Sequence, residues 1–123
     1  MKNILIIDDD EIICRLFEKL SRQKDALVTI AKTGKDARDV LQSGKRFDFV
    51  LLDLVIPDIS GWDILTVIRN NPAMKDTPVV ILTGLALSTD ETEKLGAKVS
   101  AIISKKKFEI SEFEQLMNKL MKT

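Results

Sequence analysis

The residues best suited to chemistry are three aspartates, a threonine and a lysine, each at the end of a short apolar run. Asp8 and Asp9 follow "ILII", and Asp53 interrupts the apolar run in "DFVLLDLVIPDISG". Thr83 ends "VVILT", and Lys105 follows "AIIS". The chain contains no histidine, so clustered carboxylates predict an all-oxygen site suited to a hard cation such as Mg²⁺. Carboxylates, a cation, a hydroxyl and an ammonium group together suit phosphoryl transfer.

Asp53 is the best candidate for a nucleophile, because a carboxylate can attack phosphorus to give an acyl phosphate. It is flanked by apolar residues and lies in the most central of the apolar runs. Asp10 and Glu11 are interpreted as acids at the start of a helix, where they complement the helix dipole. Asp58 is interpreted as a loop residue outside the site.

Five short apolar runs alternate with stretches of helical period, and these elements must position the polar residues. The runs are "NILII" (3–7), "ALVTIA" (26–31), "FDFVLL" (47–52), "PVVILT" (78–83) and "SAIIS" (100–104). Such alternation predicts a parallel sheet with helices on both faces. Right-handed crossovers favour an α/β, flavodoxin-like doubly wound sheet of five parallel strands in the order 2-1-3-4-5. In this topology the polar residues meet at the carboxyl ends of the strands.

Helix boundaries are indicated by serines and glycines. Ser88 with Glu91, and Ser111 with Glu114, have the spacing of capping boxes at the starts of the last two helices. Gly44 and Gly96 are predicted to lie where helices stop.

Composition predicts one cytoplasmic domain. The 123 residues are 45% apolar and 31% charged, and 19 basic residues balance 19 acidic ones, so charge gives no reason to expect direct nucleic acid binding. No apolar stretch approaches the ~20 residues that span a bilayer, so no membrane insertion is expected. The one cysteine, Cys14, excludes an internal disulfide and is interpreted as a small packing residue.

The sequence resembles the receiver domain of two-component response regulators. The motifs "ILIIDDDE", "VLLDLVIPDISGWDIL", "VVILTG" and "IISK" carry this resemblance, which covers essentially the whole chain. The spacings fit as well, with 44 residues from Asp9 to Asp53, 30 to Thr83 and 22 to Lys105. The resemblance implies a single, chemotaxis-regulator-like receiver domain over residues 1–123, without an output domain in this chain. It implies a signalling protein and not an enzyme.

The resemblance also implies roles for the polar residues. Asp53 would accept a phosphoryl group from a histidine kinase or a histidine phosphotransfer protein. Asp9 and Asp53 would ligate Mg²⁺ directly, Asp8 would act mainly through water, and the Val55 carbonyl would complete the metal site. Thr83 would bond a phosphoryl oxygen, and Lys105 would pair with the phosphorylated aspartate. A downstream protein would bind the surface of the fourth helix, fifth strand and fifth helix.

The sequence departs from the family pattern around the lysine and on the fifth strand. No proline follows Lys105 in "SKKKF", so a differently built loop is expected, and Lys106 is a rival for the role of the site lysine. Spacing favours Lys105. The family's switch aromatic falls near Ala101 or Ile102, and neither residue is aromatic.

Two apolar residues predict a long-lived phosphoryl group. Val55 and Leu85 lie two residues after Asp53 and Thr83, at positions that affect hydrolysis of the acyl phosphate in this family. Their side chains cannot hold an attacking water by hydrogen bonds.

Two other functions remain open from the sequence. One is a receiver-like interaction module that is not phosphorylated, which the missing proline and aromatic favour. The other is a Mg²⁺-dependent phosphatase working through an aspartyl phosphate, which needs a general acid where Val55 stands. Trp62, just after Gly61, is expected to be a partly exposed residue near the site.

Overall fold

The five apolar runs form one parallel sheet in the computed structural model, which describes residues 1–121. The strand order is β2-β1-β3-β4-β5, and all four pairings are parallel. The predicted flavodoxin-like topology is therefore confirmed. The strands are β1 (Lys2–Ile7), β2 (Ala26–Ala31), β3 (Phe49–Leu52), β4 (Val79–Thr83) and β5 (Ala101–Ser104).

Five α-helices connect and follow the strands. They are α1 (Glu11–Gln23), α2 (Gly34–Gln42), α3 (Gly61–Asn70), α4 (Thr89–Gly96) and α5 (Ile110–Met121). Two short 3₁₀ helices lie at Pro72–Met74, before β4, and at Lys105–Lys107, after β5. Among residues 1–121, no helix has the length and apolar character that crossing a bilayer requires.

The predicted helix boundaries are confirmed in part. The capping box of Ser88 and Glu91 begins α4, and Gly44, at φ +87°, follows the end of α2. Gly96 is itself the last residue of α4. The capping box predicted at Ser111 is wrong, because α5 already begins at Ile110 and the Ser111 hydroxyl donates to the Glu109 carboxylate instead.

The sheet separates two apolar layers, and alternate residues of each strand point into different layers. In β1, Leu5 and Ile7 pack with α2, α3 and α4, whereas Ile4 and Ile6 pack with α1 and α5. The three inner strands, β1, β3 and β4, are thus covered on both faces, which explains why their apolar runs are nearly continuous. The polar residues that follow them can only lie at the strand ends.

Strand register brings these ends to one edge of the sheet. Ile7 of β1 pairs with Leu52 of β3, and Thr83 of β4 pairs with Ser104 of β5. The residues that follow Ile7, Leu52 and Ser104, together with Thr83 itself, therefore lie at one crevice, beside the point where the winding direction of the chain reverses.

Candidate functional site

Three carboxylates meet where β1 and β3 end. The Asp53 N–H donates to the Ile7 carbonyl at 2.8 Å, which fixes the first residue after β3 beside the end of β1. Asp8 is fully buried, Asp53 is buried, and Asp9 is exposed. One carboxylate oxygen from each of the three lies within 4.8 Å of the others. The structure thus brings together the three acids that the sequence predicted as metal ligands.

Lys105 enters the same cluster from the end of β5. Its Nζ lies 2.9 Å from Asp53 Oδ2 and 3.1 Å from Asp8 Oδ2, and the lysine side chain is largely buried. Lys105 is the first residue of the 3₁₀ turn after β5, and this turn begins with the Ser104 hydroxyl accepting from the Lys106 N–H at 3.2 Å. Lys106 is exposed, so of the two rival lysines the structure brings Lys105 to the acids.

The charges in the cluster perturb one another. Burial raises the pKa of Asp8 to about 6, although the Asp10 N–H and the Lys105 ammonium both favour the charged carboxylate. Burial alone would lower the pKa of Lys105, but its hydrogen bond to Asp53 and the nearby charge of Asp8 outweigh this, and the pKa is raised. One ammonium group therefore compensates the acids only in part.

A divalent cation fits this donor set. Asp8 Oδ1 accepts from the Asp10 N–H at 2.9 Å, whereas Oδ2 is buried and accepts no hydrogen bond despite its ion pair with Lys105. The Lys105 ammonium faces this oxygen but is shared with Asp53, so one positive charge compensates two buried carboxylates. Three carboxylates without nitrogen or sulfur ligands match the oxygen preference of Mg²⁺. The observed residues therefore suit the predicted cofactor.

Thr83 and Val55 lie at the same edge, beside the cluster of acids and lysine. Thr83 is buried at the end of β4, and its hydroxyl oxygen accepts from the Leu85 N–H at 3.2 Å, so the hydroxyl proton can point to another acceptor. The Val55 N–H donates to Asp53 Oδ1 at 3.1 Å, while the Val55 side chain is half exposed. Thr83 thus closes β4 at this edge, and Val55 is tied to Asp53 through its backbone N–H.

The acids after Asp9 begin helix α1, as the sequence indicated. The Asp10 side chain is the N-cap and accepts from the Ile12 N–H at 2.9 Å. Glu11 pairs with Lys32, which lies in the connection between β2 and α2. Asp10 Oδ2 is 4.0 Å from Lys105 Nζ, so Asp10 lies at the margin of the cluster.

The loop between Asp53 and α3 is tightly closed at Gly61. The Gly61 N–H donates to the Leu54 carbonyl at 3.0 Å. A Cβ at Gly61 would lie 2.5 Å from the Asp53 carbonyl oxygen and 2.5 Å from Leu54 Cα. Only glycine therefore allows this close return of the chain, and Trp62 follows it as a half-buried residue.

Two residues near the site have contacts that the sequence did not reveal. The Asp58 carboxylate accepts from the Gly34 N–H at 2.8 Å, which ties the loop after β3 to the start of α2. The Cys14 Sγ donates to the Asp8 carbonyl at 3.2 Å. The "PD" pair at 57–58 is a turn signal, but no local pattern identifies the helix that it contacts.

The comparisons with known proteins agree with this fold. The family described as response regulator receiver domain matches residues 4–118. The non-phosphorylated HemR receiver domain from Leptospira biflexa is 27% identical, with a TM-score of 0.85 and coverage of 100% of this chain and 96% of that one. The receiver domain of sensor histidine kinase PA1611 from Pseudomonas aeruginosa PAO1, with a magnesium ion coordinated in its active site cleft, has a TM-score of 0.83 at 23% identity, covering 99% of this chain and 98% of that one.

Curated relatives are considerably longer than this chain. A probable cyclic di-GMP phosphodiesterase of Vibrio cholerae is 35% identical over 100 residues, which are 80% of this chain and 22% of that protein. The chain spans 12% to 39% of the lengths of other curated relatives. The similarity thus concerns one part of those proteins.

Proposed function

Because this chain belongs to the response regulator receiver domain family, we propose that it is a phosphoacceptor that takes a phosphoryl group on Asp53 from a histidine kinase or a histidine phosphotransfer protein. The observation that carries this proposal is the cluster at the strand ends. There, buried Asp53 lies 2.9 Å from Lys105 Nζ, and two further carboxylates are close enough to share a cation with it.

Mg²⁺ is the proposed cofactor. Asp9, Asp53 and the Val55 carbonyl would hold it directly, and Asp8 would hold it mainly through water. When bound, Mg²⁺ neutralises charge on the phosphoryl oxygens. The magnesium ion in the cleft of the P. aeruginosa receiver domain supports this assignment.

The transfer step uses the side chains at the end of the sheet. A carboxylate oxygen of Asp53 attacks the phosphorus of the donor's phosphohistidine, and an O–P bond forms. The P–N bond breaks, and its electron pair leaves with the histidine nitrogen. Lys105 keeps its positive charge beside the new acyl phosphate, and the Thr83 hydroxyl donates to a phosphoryl oxygen. Positioning and charge neutralisation, rather than proton transfer by this chain, supply the catalysis.

The consequence of phosphorylation is proposed to be altered binding of a protein partner. The surface formed by α4, β5 and α5 is the proposed docking site. A cytoplasmic location, without direct nucleic acid binding, is part of the proposal. The V. cholerae relative is a probable phosphodiesterase, but this chain matches only 22% of that protein, so its hydrolytic activity is not carried over to this chain.

A mass measurement tests this function. The protein is incubated with Mg²⁺ and a small-molecule phosphodonor, and the intact mass is followed over time. One added phosphoryl group per chain supports the receiver function. Failure of this adduct to form when Mg²⁺ is chelated before the donor is added supports the cofactor. Repeated turnover of a phosphate ester without a stable adduct would support a phosphatase instead.

A receiver-like interaction module is the second candidate function. It is favoured by β5, where Ala101 and Ile102 are aliphatic and offer no aromatic ring to couple the site to the surface. A protein that stays unmodified in the mass measurement, yet still binds its partner, would establish this function.

The half-exposed Val55 predicts slow loss of the phosphoryl group. The Val55→Asn change places a hydrogen-bonding group two residues after Asp53, where it can hold an attacking water. One such hydrogen bond contributes about 1 kcal/mol, so hydrolysis should accelerate about fivefold. The measurement is the decay of phosphorylated protein, without any phosphatase, after the donor is removed.

Leu27→Asn is the matched control for this prediction. Leu27 is 54% exposed and Val55 is 53% exposed, but Leu27 lies on the edge strand β2. Its substitution should leave the decay rate unchanged. The explanation based on apolar side chains would be contradicted if the phosphorylated wild-type protein decays fast and neither substitution alters its rate of decay.

A further inference from the structure

Asp58 makes an unusual set of contacts for a loop residue. Its Oδ1 accepts from the Gly34 N–H at 2.8 Å and from the Ile59 N–H at 2.7 Å. Both of its carboxylate oxygens also lie 3.3 Å from the Lys35 N–H. One exposed side chain therefore links the loop after Asp53 to the first turn of another helix.

These contacts complete the N-terminus of α2. A helix leaves its first N–H groups without intrahelical acceptors. The Thr33 hydroxyl, at the N-cap, accepts from the Asp36 N–H at 3.0 Å and leaves the N–H groups of Gly34 and Lys35 to other acceptors. Asp58 supplies an acceptor for both, and its negative charge complements the positive end of the helix dipole.

Two backbone features make this contact possible. Asp58 has φ +68°, a left-handed conformation that costs non-glycine residues about 1 kcal/mol and that aspartate adopts more readily than most. Gly34 provides the space on the other side, because a Cβ there would lie 2.3 Å from Ile59 Cβ and 2.8 Å from Asp58 Oδ1. The Pro57 carbonyl accepts from the Gly34 N–H as well, at 3.1 Å.

The same loop holds groups of the proposed metal site. At its start the Val55 N–H donates to Asp53 Oδ1, and at its end the Gly61 N–H donates to the Leu54 carbonyl. Between these fixed points, the contact of Asp58 with α2 is the polar tie that connects the loop to the rest of the described structure through a side chain. Movement of the loop would therefore displace Val55, whose carbonyl is a proposed ligand of Mg²⁺.

We propose that Asp58 is a positioning residue, which holds the loop after Asp53 against α2 and so keeps the site in its cation-binding geometry. The inference rests on the proposed function, because it takes the acids at the strand ends to bind Mg²⁺. Coupling of this kind is reciprocal, so Mg²⁺ binding also stabilises the first turn of α2.

Calorimetric titration with Mg²⁺ tests this inference on the intact protein. Asp58→Gly keeps the left-handed conformation and removes the carboxylate, and Asp58→Asn keeps the conformation and one oxygen acceptor. We expect Asp58→Gly to weaken Mg²⁺ binding about tenfold, as is typical when a residue supporting a metal ligand is lost. Asp58→Asn should restore most of the affinity.

Asp25→Gly is the matched control. Asp25 also has a left-handed backbone, φ +56°, but it follows α1 at the opposite end of the sheet from the acids. Its change should leave Mg²⁺ binding unaltered. Urea denaturation of each variant separates loss of binding from loss of folding.

Hydrogen exchange provides a second readout. Mg²⁺ should slow exchange of the Gly34 and Lys35 amides in the wild-type protein and not in Asp58→Gly. The inference alone would be overturned if both Asp58 variants bind Mg²⁺ as tightly as the wild-type protein and Mg²⁺ has the same effect on exchange of these amides in all three proteins. Absence of any Mg²⁺ binding by the wild-type protein would overturn the proposed cofactor and the inference with it.

Discussion

Asp53→Asn is expected to abolish phosphorylation of the protein by a small-molecule donor or by a phosphohistidine. The amide oxygen of asparagine is a poor nucleophile, and Asp53 is the carboxylate closest to Lys105 Nζ, at 2.9 Å. Intact mass after incubation with Mg²⁺ and donor should show one added phosphoryl group on the wild-type chain and none on the variant. The variant should still fold, because it removes one of three acids that repel one another.

Asp63→Asn is the control for this change. Asp63 is exposed in the first turn of α3, so the same substitution there should leave the yield of phosphorylated protein unchanged. Circular dichroism would verify the fold of both variants. Undiminished modification of Asp53→Asn would mean that another residue is the acceptor, and the proposed function would fail in its present form.

Lys105→Met should destabilise the protein strongly when divalent cations are chelated. The substitution keeps an apolar chain of similar length but leaves Asp8 and Asp53 buried without their ion pair. Removing one partner of a buried ion pair costs about 3 kcal/mol or more, so the free energy of unfolding in urea should fall by about that amount. Phosphorylation should also slow, because no fixed positive charge remains beside the acyl phosphate.

Lys106→Met separates the role of Lys105 from the general charge of this turn. Lys106 is adjacent in sequence and exposed, and its loss should change the free energy of unfolding by less than about 0.5 kcal/mol. Added Mg²⁺ should restore part of the stability lost in Lys105→Met, because a bound cation stabilises the folded state and compensates the same acids. Equal effects of the two substitutions would contradict the assignment of Lys105.

The sequence was sufficient to predict the sheet and the residues at its edge. β1 and β3 are buried on both faces and therefore read as continuous apolar runs, and an aspartate inside or after such a run can only lie at the strand end. The spacing from Thr83 favoured Lys105 over Lys106, and the structure brings Lys105 to Asp8 and Asp53. Roles within the phosphoryl transfer remain predictions.

Contacts between distant loops could not be predicted in this way. Asp58 is a loop residue, as the sequence predicts, but a turn residue carries no local sign of the helix that its carboxylate contacts. The start of α5 predicted at Ser111 is wrong, because Ser111 has the spacing of an N-cap but its hydroxyl donates to Glu109. Both outcomes depend on which of several nearby partners a short polar side chain meets in the folded chain.

The contact between Cys14 and the Asp8 carbonyl has a practical consequence for labelling. Thiol reagents attack the thiolate, and burial raises the pKa of Cys14 to about 11, so at neutral pH almost none of it is in the reactive form. The native cysteine can therefore stay in place, where its Sγ supports the backbone of a site residue. A second cysteine introduced on the exposed face of α4 or α5 would take up a dye or spin label selectively, so that movement of that surface can be followed in a protein whose acidic site is unaltered.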